Sequence, residues 1–569
     1  MMSAEDKRGE IRTKLQRIYG EQIGEQTYRK LLPLLKESAQ GELAPLTVTQ
    51  QDVMLICYGD QLQNEEDPPL AVLHQFLKRH IHPHINAVHI LPFYPWSSDD
   101  GFSVIDYEDV DPALGDWTHI QALQRDFRLM FDAVFNHISV ESEWFAAYRR
   151  GEAPYDTFFI DVPPGIDLSL VVRPRALPLL TPVETANGVK QVWTTFSADQ
   201  ADLNYGNPRV LLEMIRILLL YVERGADFIR LDAIGFLWKE VGTTSLHLEQ
   251  THLIIQIMRA VLDVVASHVV LITETNVPHE ENISYFGDGE NEAQLVYQFP
   301  LPPLILHTLT AGDATHLTAW AQSLEDVSQR TTFFNFTASH DGIGLRPATG
   351  LLSEAEIEAL VELTTAHGGA VSYRTDTEVG QSPYELNITY FDAITDPAVT
   401  AIDPQTAIDR FIVSQAMMLA LAGLPGVYFH SLFGSRNWQA GVRRTGRNRS
   451  INREKLDVQD LEHRLADPDG LTRKVFDRYL QLINLRAERP AMHPLAPQQI
   501  LSLDSRVFAV QRSTSDGKET LLLLHNVTGE AVTVSLPGGS WRHLLFGTDL
   551  QGEVELKPYE VAWLMKVLS

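Results

Sequence analysis

The chain has 569 residues, 44% of them hydrophobic and 21% charged, enough for a large packed core and too apolar for wholesale disorder. Lys and Arg number 46 against 74 Asp and Glu, a net charge of −28, the wrong sign for a general binder of nucleic-acid backbones or anionic membranes. A local basic pocket for a small anion is still allowed, while the lone Cys57 excludes an intramolecular disulfide framework or a multi-cysteine zinc site.

The amino-terminal stretch carries no apolar h-region, so the expectation is a soluble protein of the reducing cytoplasm. Residues 1–48 read as a helical extension, with charged and apolar residues mixed at 3–4 spacing before the loop GELAPLT. Eight apolar runs then follow: Val53–Tyr58, Ala87–Leu91, Leu129–Phe135, Phe228–Ile234, Val269–Thr273, Gln294–Phe299, Thr332–Phe336 and Val427–Phe429. Amphipathic spacers separate them, which predicts a (β/α)8 TIM barrel over 49–137 and 208–480. A doubly wound sheet is the alternative, but neither GxGxxG nor GxxxxGK(S/T) occurs. The greasy stretch Phe411 to Phe429 contains Gln415, Gly423, Pro425 and Gly426, so it reads as buried helix, turn and strand, not as a membrane span.

Two gaps are too long for simple crossovers. Residues 138–207, rich in Pro, aromatics and Asp, read as an inserted B-type subdomain after strand three, and 341–410 as a second insertion with a helical piece and the polar loop SYRTDTEVGQSPYELN. Both should fall on the active face of the barrel. From 485 to 569 short runs (Val507–Arg512, Thr520–His525, Ala531–Leu536, Trp541–Phe546, Val554–Leu556, Val561–Lys566) divided by Gly-containing turns predict a small antiparallel, β-sandwich-like domain.

The barrel rim gathers polar residues from strand ends: Tyr58 and Asp60, Asp99 and Asp100, Asp132, Asn136 and His137, Arg230 and Asp232, Glu274, His340 and Asp341, and His430. Asp232, Glu274 and Asp341 stand out, because an unpaired carboxylate against an apolar strand is strongly destabilising. Three carboxylates on separate strands suit glycosyl transfer: one attacks the anomeric carbon, one protonates the leaving oxygen, and one steadies the oxocarbenium-like state. Arg230, two residues before Asp232 on the same strand face, is expected to keep it ionised. The run His80, His82, His84 looks like a ligand tract, but Pro83 interrupts the strand that would align it. Cys57 lies inside an apolar strand and reads as core volume.

The blocks LPFYPWSSDDGFSVIDY, DAVFNH, FIRLDAIGFLWKE, ITETN and ASHDGIG resemble those of the alpha-amylase superfamily, retaining enzymes on a (β/α)8 barrel. SDDGFSVIDY and GRNRSINRE are similar to its sucrose phosphorylase branch, and within it segments 239–252 and 276–303 resemble the glucosylglycerate phosphorylases. The resemblance implies Asp232 as nucleophile, Glu274 as general acid/base and Asp341 as transition-state carboxylate. It places Arg230, His137 and His340 around the glucosyl ring, and pairs Asp99 with Arg453 as the end wall of a single-sugar pocket, with the neighbouring Asp100 as the alternative for that role. It implies no metal, since convincing carboxylate ligands for the superfamily's structural calcium are missing from the inserted stretch, and no cofactor.

The activity so implied is transfer of a glucosyl unit from an α-glucoside to inorganic phosphate through a covalent β-glucosyl enzyme, giving α-glucose 1-phosphate. The expected partners are the glucoside and phosphate alone, with no nucleic acid or membrane, in a monomer or homodimer. A phosphate site needs local positive charge, for which Lys239, Arg346, Arg443, Arg444, Arg447 and Arg449 are the candidates; Thr243, Thr244 and His247 join them for an acceptor such as glycerate. Fructose, fructose 6-phosphate and glycerol stay open as acceptors. Beyond them stand an α-glucosidase or transglucosylase, and a non-catalytic scaffold on an amylase-like barrel.

Overall fold

The computed structural model describes residues 3–36, 48–175, 177–324, 328–376 and 380–567. Eight parallel strands close into a barrel: β1 (Met54–Cys57), β2 (Ala87–Ile90), β3 (Arg128–Ala133), β4 (Ala226–Leu231), β5 (Val270–Thr273), β6 (Leu295–Tyr297), β7 (Thr332–Phe336) and β8 (Leu424–Tyr428). Met54 closes the ring by pairing with Ala87 on one side and Gly426 on the other. These strands are buried on both faces, which is why they read as continuous apolar runs and not as alternation. β8 begins three residues before the expected Val427, so Pro425 and Gly426 lie inside the strand and not in a turn. Gly426 is there for contact: a Cβ would stand 2.5 Å from the Phe334 ring.

Two helices, α1 (Ala4–Tyr19) and α2 (Glu21–Lys36), form a hairpin whose buried face (Ile11, Leu15, Leu31, Leu35) packs on the barrel. Lys7 anchors it by a buried ion pair with Asp263 at 3.2 Å. The loop GELAPLT lies outside the described residues.

After β3 the chain leaves the barrel for a helix (Glu143–Arg150), a hairpin (Leu180–Thr185 with Gly188–Trp193) and a strand Gln200–Asp202 that pairs antiparallel with His137–Ser139. After β7 a helix (Glu354–Ala366) precedes strands Ala370–Asp376 and Gly380–Asn387. Residues 372–387, expected as a polar loop, therefore form most of a hairpin; positions 377–379 lie outside the described residues. Its polar residues fit a pleated strand with one wet face. Gly342 lets the hairpin approach, since a Cβ there would meet the Leu386 carbonyl at 2.5 Å.

The carboxyl-terminal region holds a six-stranded antiparallel sheet faced by a two-stranded one, Val532–Ser535 with Glu553–Leu556. Gln498–Asp504 is an edge strand that the sequence does not announce, because all its side chains but Ile500 are half-exposed or exposed and its pattern is weak.

Candidate active site

Strands β2 to β5 and β7 deliver charged side chains to one end of the barrel. Asp132, inside β3 and fully buried, accepts from His89 Nε2 at 2.6 Å and from Arg230 Nη1 at 2.5 Å. The same Nη1 donates to Asp232 Oδ1 at 2.8 Å, and Nη2 stands 3.9 Å from Glu274 Oε2. The guanidinium lies over the rings of Phe102 (5.5 Å) and Tyr297 (5.4 Å), which exclude water from it. Ala233, next to Asp232, takes the left-handed conformation (φ 48°) that L-residues disfavour, and its N–H donates to Glu274 Oε2 at 3.0 Å.

Burial pushes both Asp232 and Glu274 above the ordinary carboxylate range, with Arg230 opposing it. Arg230 therefore does not keep Asp232 ionised unaided, as its position in sequence suggested: it is shared with Asp132, a partner the sequence does not reveal. Arg230 touches Asp232 directly and stands farther from Glu274, so it favours the charged form of Asp232 more.

Asp341 is set differently. Burial opposes its charge, but Arg449, His340 and Arg453 hold it well below the usual range: Arg449 Nη1 lies 2.6 Å from Oδ1 and Arg453 Nη2 3.7 Å. Arg449 also grips Glu385 with a two-pronged contact, 3.0 and 2.8 Å. His340 stacks parallel on Phe102 with centroids 4.6 Å apart; burial lowers it to about 3, so the ring is neutral.

The expected Asp99–Arg453 pair is not formed. Arg453 Nη1 bonds Asp100 at 2.6 Å, while Asp99 takes Arg175 of the inserted segment at 2.8 Å. Consecutive positive φ angles at Asp99 (56°) and Asp100 (51°) send the two carboxylates to different partners. A cavity of about 80 Å³ is lined by Asp232, Glu274, Asp341, His137 and His340. A second, of about 410 Å³, shares Asp99, Arg175, Tyr384 and Arg449 with it and adds Arg447 and Arg453.

Other expected residues lie elsewhere. Lys239 is buried against Asp202 (2.7 Å) and Asn136 (2.6 Å), lining neither cavity. The Thr243 and Thr244 hydroxyls donate to the backbone carbonyls of Glu240 and Leu246. His247 meets Tyr285 and Glu281, and Arg346 faces the same Glu281 at 3.6 Å. Arg443 and Arg444 are exposed on the helix Gln439–Thr445, Arg444 over Trp438. Asp60 pairs with Lys455 and His430 accepts from Gln61. His80 and His84 turn to Glu462 and Asn484, and among the described residues no His/Cys/Asp/Glu cluster is arranged to hold a metal. Cys57 is buried, which raises its thiol to about 12. No helix of the described residues is long and apolar enough to cross a membrane.

Residues 82–388 match the family described as "Alpha amylase, catalytic domain". The chain belongs to the alpha-amylase family. Residues 504–564 match a second description, the carboxyl-terminal immunoglobulin-like domain of D-apionate lactonase. Among curated relatives, a glucosylglycerate phosphorylase of Allomeiothermus silvanus is 51% identical over 91% of both chains. One of Spirochaeta thermophila is 46% identical over 96% of this chain and 94% of its own. Among solved structures, sucrose 6F-phosphate phosphorylase from Thermoanaerobacter thermosaccharolyticum superposes with a TM-score of 0.74 at 22% identity, covering 88% of this chain and 98% of that one. In this alpha-amylase family barrel, the residues that sequence reasoning missed are Arg175, Tyr384 and Glu385, all on inserted segments. The only signal for Arg175 is the basic RPR tripeptide, with Pro174 at its centre, in an acidic chain.

Proposed function

We propose that the chain is a retaining glycoside phosphorylase that transfers a glucosyl unit from glucosylglycerate to inorganic phosphate, releasing α-glucose 1-phosphate. The observation that carries this reading is the junction of two cavities: a small one with three carboxylates, opening through Arg175 and Arg449 into a larger one lined by four arginines. A hydrolase needs the first cavity only. The second suits compact anions, phosphate in one direction and the glycerate carboxylate in the other, which meet the same anomeric carbon in turn. Three curated relatives that match nine-tenths of the chain or more carry that activity in their names.

In this reading Asp232 attacks C1 while Glu274 protonates the leaving oxygen, and a β-glucosyl ester of Asp232 forms. Phosphate enters by way of the arginine cavity, Glu274 takes up a proton as base, and C1 returns to the α configuration. Asp341, Arg230, His137 and His340 surround the sugar, while the Asp99–Arg175 pair stands where its cavity meets the arginine-lined one. The enzyme so described is cytoplasmic, a monomer or homodimer, and needs no metal or cofactor. The test offers glucose 1-phosphate with glycerate, glycerol, fructose or fructose 6-phosphate and scores phosphate release. Glycerate should lead. A tenfold preference for fructose would make the chain a sucrose-type phosphorylase, and free glucose as the main product from α-glucosides in phosphate buffer would make it a hydrolase.

A further inference from the structure

Lys239 follows the nucleophile by seven residues, yet its ammonium points away from the catalytic cavity. The side chain is 2% exposed and meets Asn136 Oδ1 at 2.6 Å and Asp202 Oδ2 at 2.7 Å, both fully buried. An ammonium only donates, so the Asn136 atom facing it is the carbonyl oxygen and the amide nitrogen is turned the other way. There Nδ2 lies 3.1 Å from His137 Nδ1 and 3.3 Å from Asp202 Oδ2. A ring nitrogen that accepts from Nδ2 carries no proton, so the imidazole proton sits on Nε2. Nε2–H donates to the Phe102 carbonyl at 2.9 Å. Gln200 Nε2 donates to the same carbonyl at 2.9 Å, so its approach to His137 Nε2 is two donors converging on one oxygen. Burial holds His137 neutral, which leaves the tautomer as its one freedom.

We propose that Lys239 is a positioning residue: by orienting the Asn136 amide it locks His137 in the Nε2–H tautomer that bonds the Phe102 carbonyl, and so fixes the imidazole as a wall of the sugar pocket. Flipping the amide would put N–H against the ammonium and a carbonyl against the Asp202 carboxylate, two repulsions in a dry site. With the proton on Nδ1 instead, a bare Nε2 would face the Phe102 carbonyl, lone pair against lone pair. Phe102 stacks on His340, so the relay from Lys239 ends beside Asp341. The kinetic part of this inference rests on the proposed phosphorolysis; the tautomer belongs to the resting protein.

Lys239→Met alone would leave Asp202 buried without its partner, so the variant of choice is Lys239→Met/Asp202→Asn, which removes both charges. In ¹⁵N-histidine-labelled protein, with the His137 signals identified by their loss in His137→Gln, the wild type should show a protonated Nε2 and a bare Nδ1. The double variant should move toward a mixture of tautomers, and kcat/KM for glucose 1-phosphate should fall tenfold or more, mainly through KM. Asn136→Asp is the second variant: Lys239 keeps a partner, but the N–H that His137 accepts is gone, so the proton should move to Nδ1. A wild-type His137 protonated on Nδ1, or an unchanged tautomer in both variants, overturns the proposal and leaves Lys239 a staple between barrel and insertion. A tautomer that shifts in a protein inactive toward phosphate would sustain this inference while removing the phosphorylase reading.

Discussion

Of the four arginines lining the larger cavity, three are already held: Arg175 by Asp99, Arg453 by Asp100, and Arg449 by Asp341 and Glu385. Arg447 makes no ion pair among the described residues and is exposed. An arriving carboxylate must displace an internal carboxylate or dock on Arg447, and the second route breaks nothing. A hydrogen bond to a charged group contributes roughly 1.5–3 kcal/mol, and exposure places Arg447 near the lower end. About 1.5 kcal/mol corresponds to roughly tenfold in kcat/KM. With glucose 1-phosphate as donor, Arg447→Ala should therefore shrink the preference for glycerate over glycerol by about tenfold, with the glycerol rate nearly unchanged. Phosphate release from both acceptors, measured side by side, reads the ratio. A ratio that moves less than about twofold would refute the premise that the unpaired guanidinium takes the acceptor, and would direct attention to displacement at Arg449.

Asp232→Asn should lose at least about 4 kcal/mol of transition-state stabilisation, a thousandfold in rate, while the isosteric variant stays folded; more than a tenth of wild-type turnover in folded protein removes Asp232 as nucleophile. Glu274→Gln should be impaired far less on α-glucosyl fluoride, whose leaving group needs no proton, than on glucosylglycerate; equal losses on both would deny Glu274 the acid role. Starch and maltodextrins should be poor substrates, because the cavity with the three carboxylates measures only about 80 Å³, and efficient depolymerisation would sink that reading. Stability should carry an acid limb from His525, which burial lowers to about 4 in the fold against about 6.5 unfolded. The unfolded chain takes up that proton first as pH falls, so the contribution present above pH 6.5 is lost toward pH 4, about 2 kcal/mol of it by pH 5. His525→Gln should flatten the difference in Tm between pH 7 and pH 5, and an unaltered slope would count against it.

The legible part of this protein is what a barrel makes obligatory. Asp232, Glu274 and Asp341 end or follow strands buried on both faces, and a charge in that position can go only to the rim, so their order along the chain already places them together. Partners across the rim are another matter. Asp99 and Asp100 are neighbours of the same residue type, and which one meets Arg453 is decided by two successive left-handed backbone conformations that no spacing rule reports. Arg175 and Glu385 reach the site from inserted segments, whose course depends on tertiary contacts such as the close approach at Gly342. Lys239 shows the same limit from the opposite side: proximity in sequence to Asp232 suggests an acceptor contact, but the long side chain runs to Asn136 and Asp202, since a buried ammonium goes where its donors are satisfied. In the proposed reaction, strand ends would thus supply the chemistry that acts on C1, and loops the charges that choose its partner. Because those charges, Arg447 apart, arrive already paired with carboxylates, an acceptor in that reaction would be selected by what it can reach without breaking a pair, and that property exists only in the folded chain.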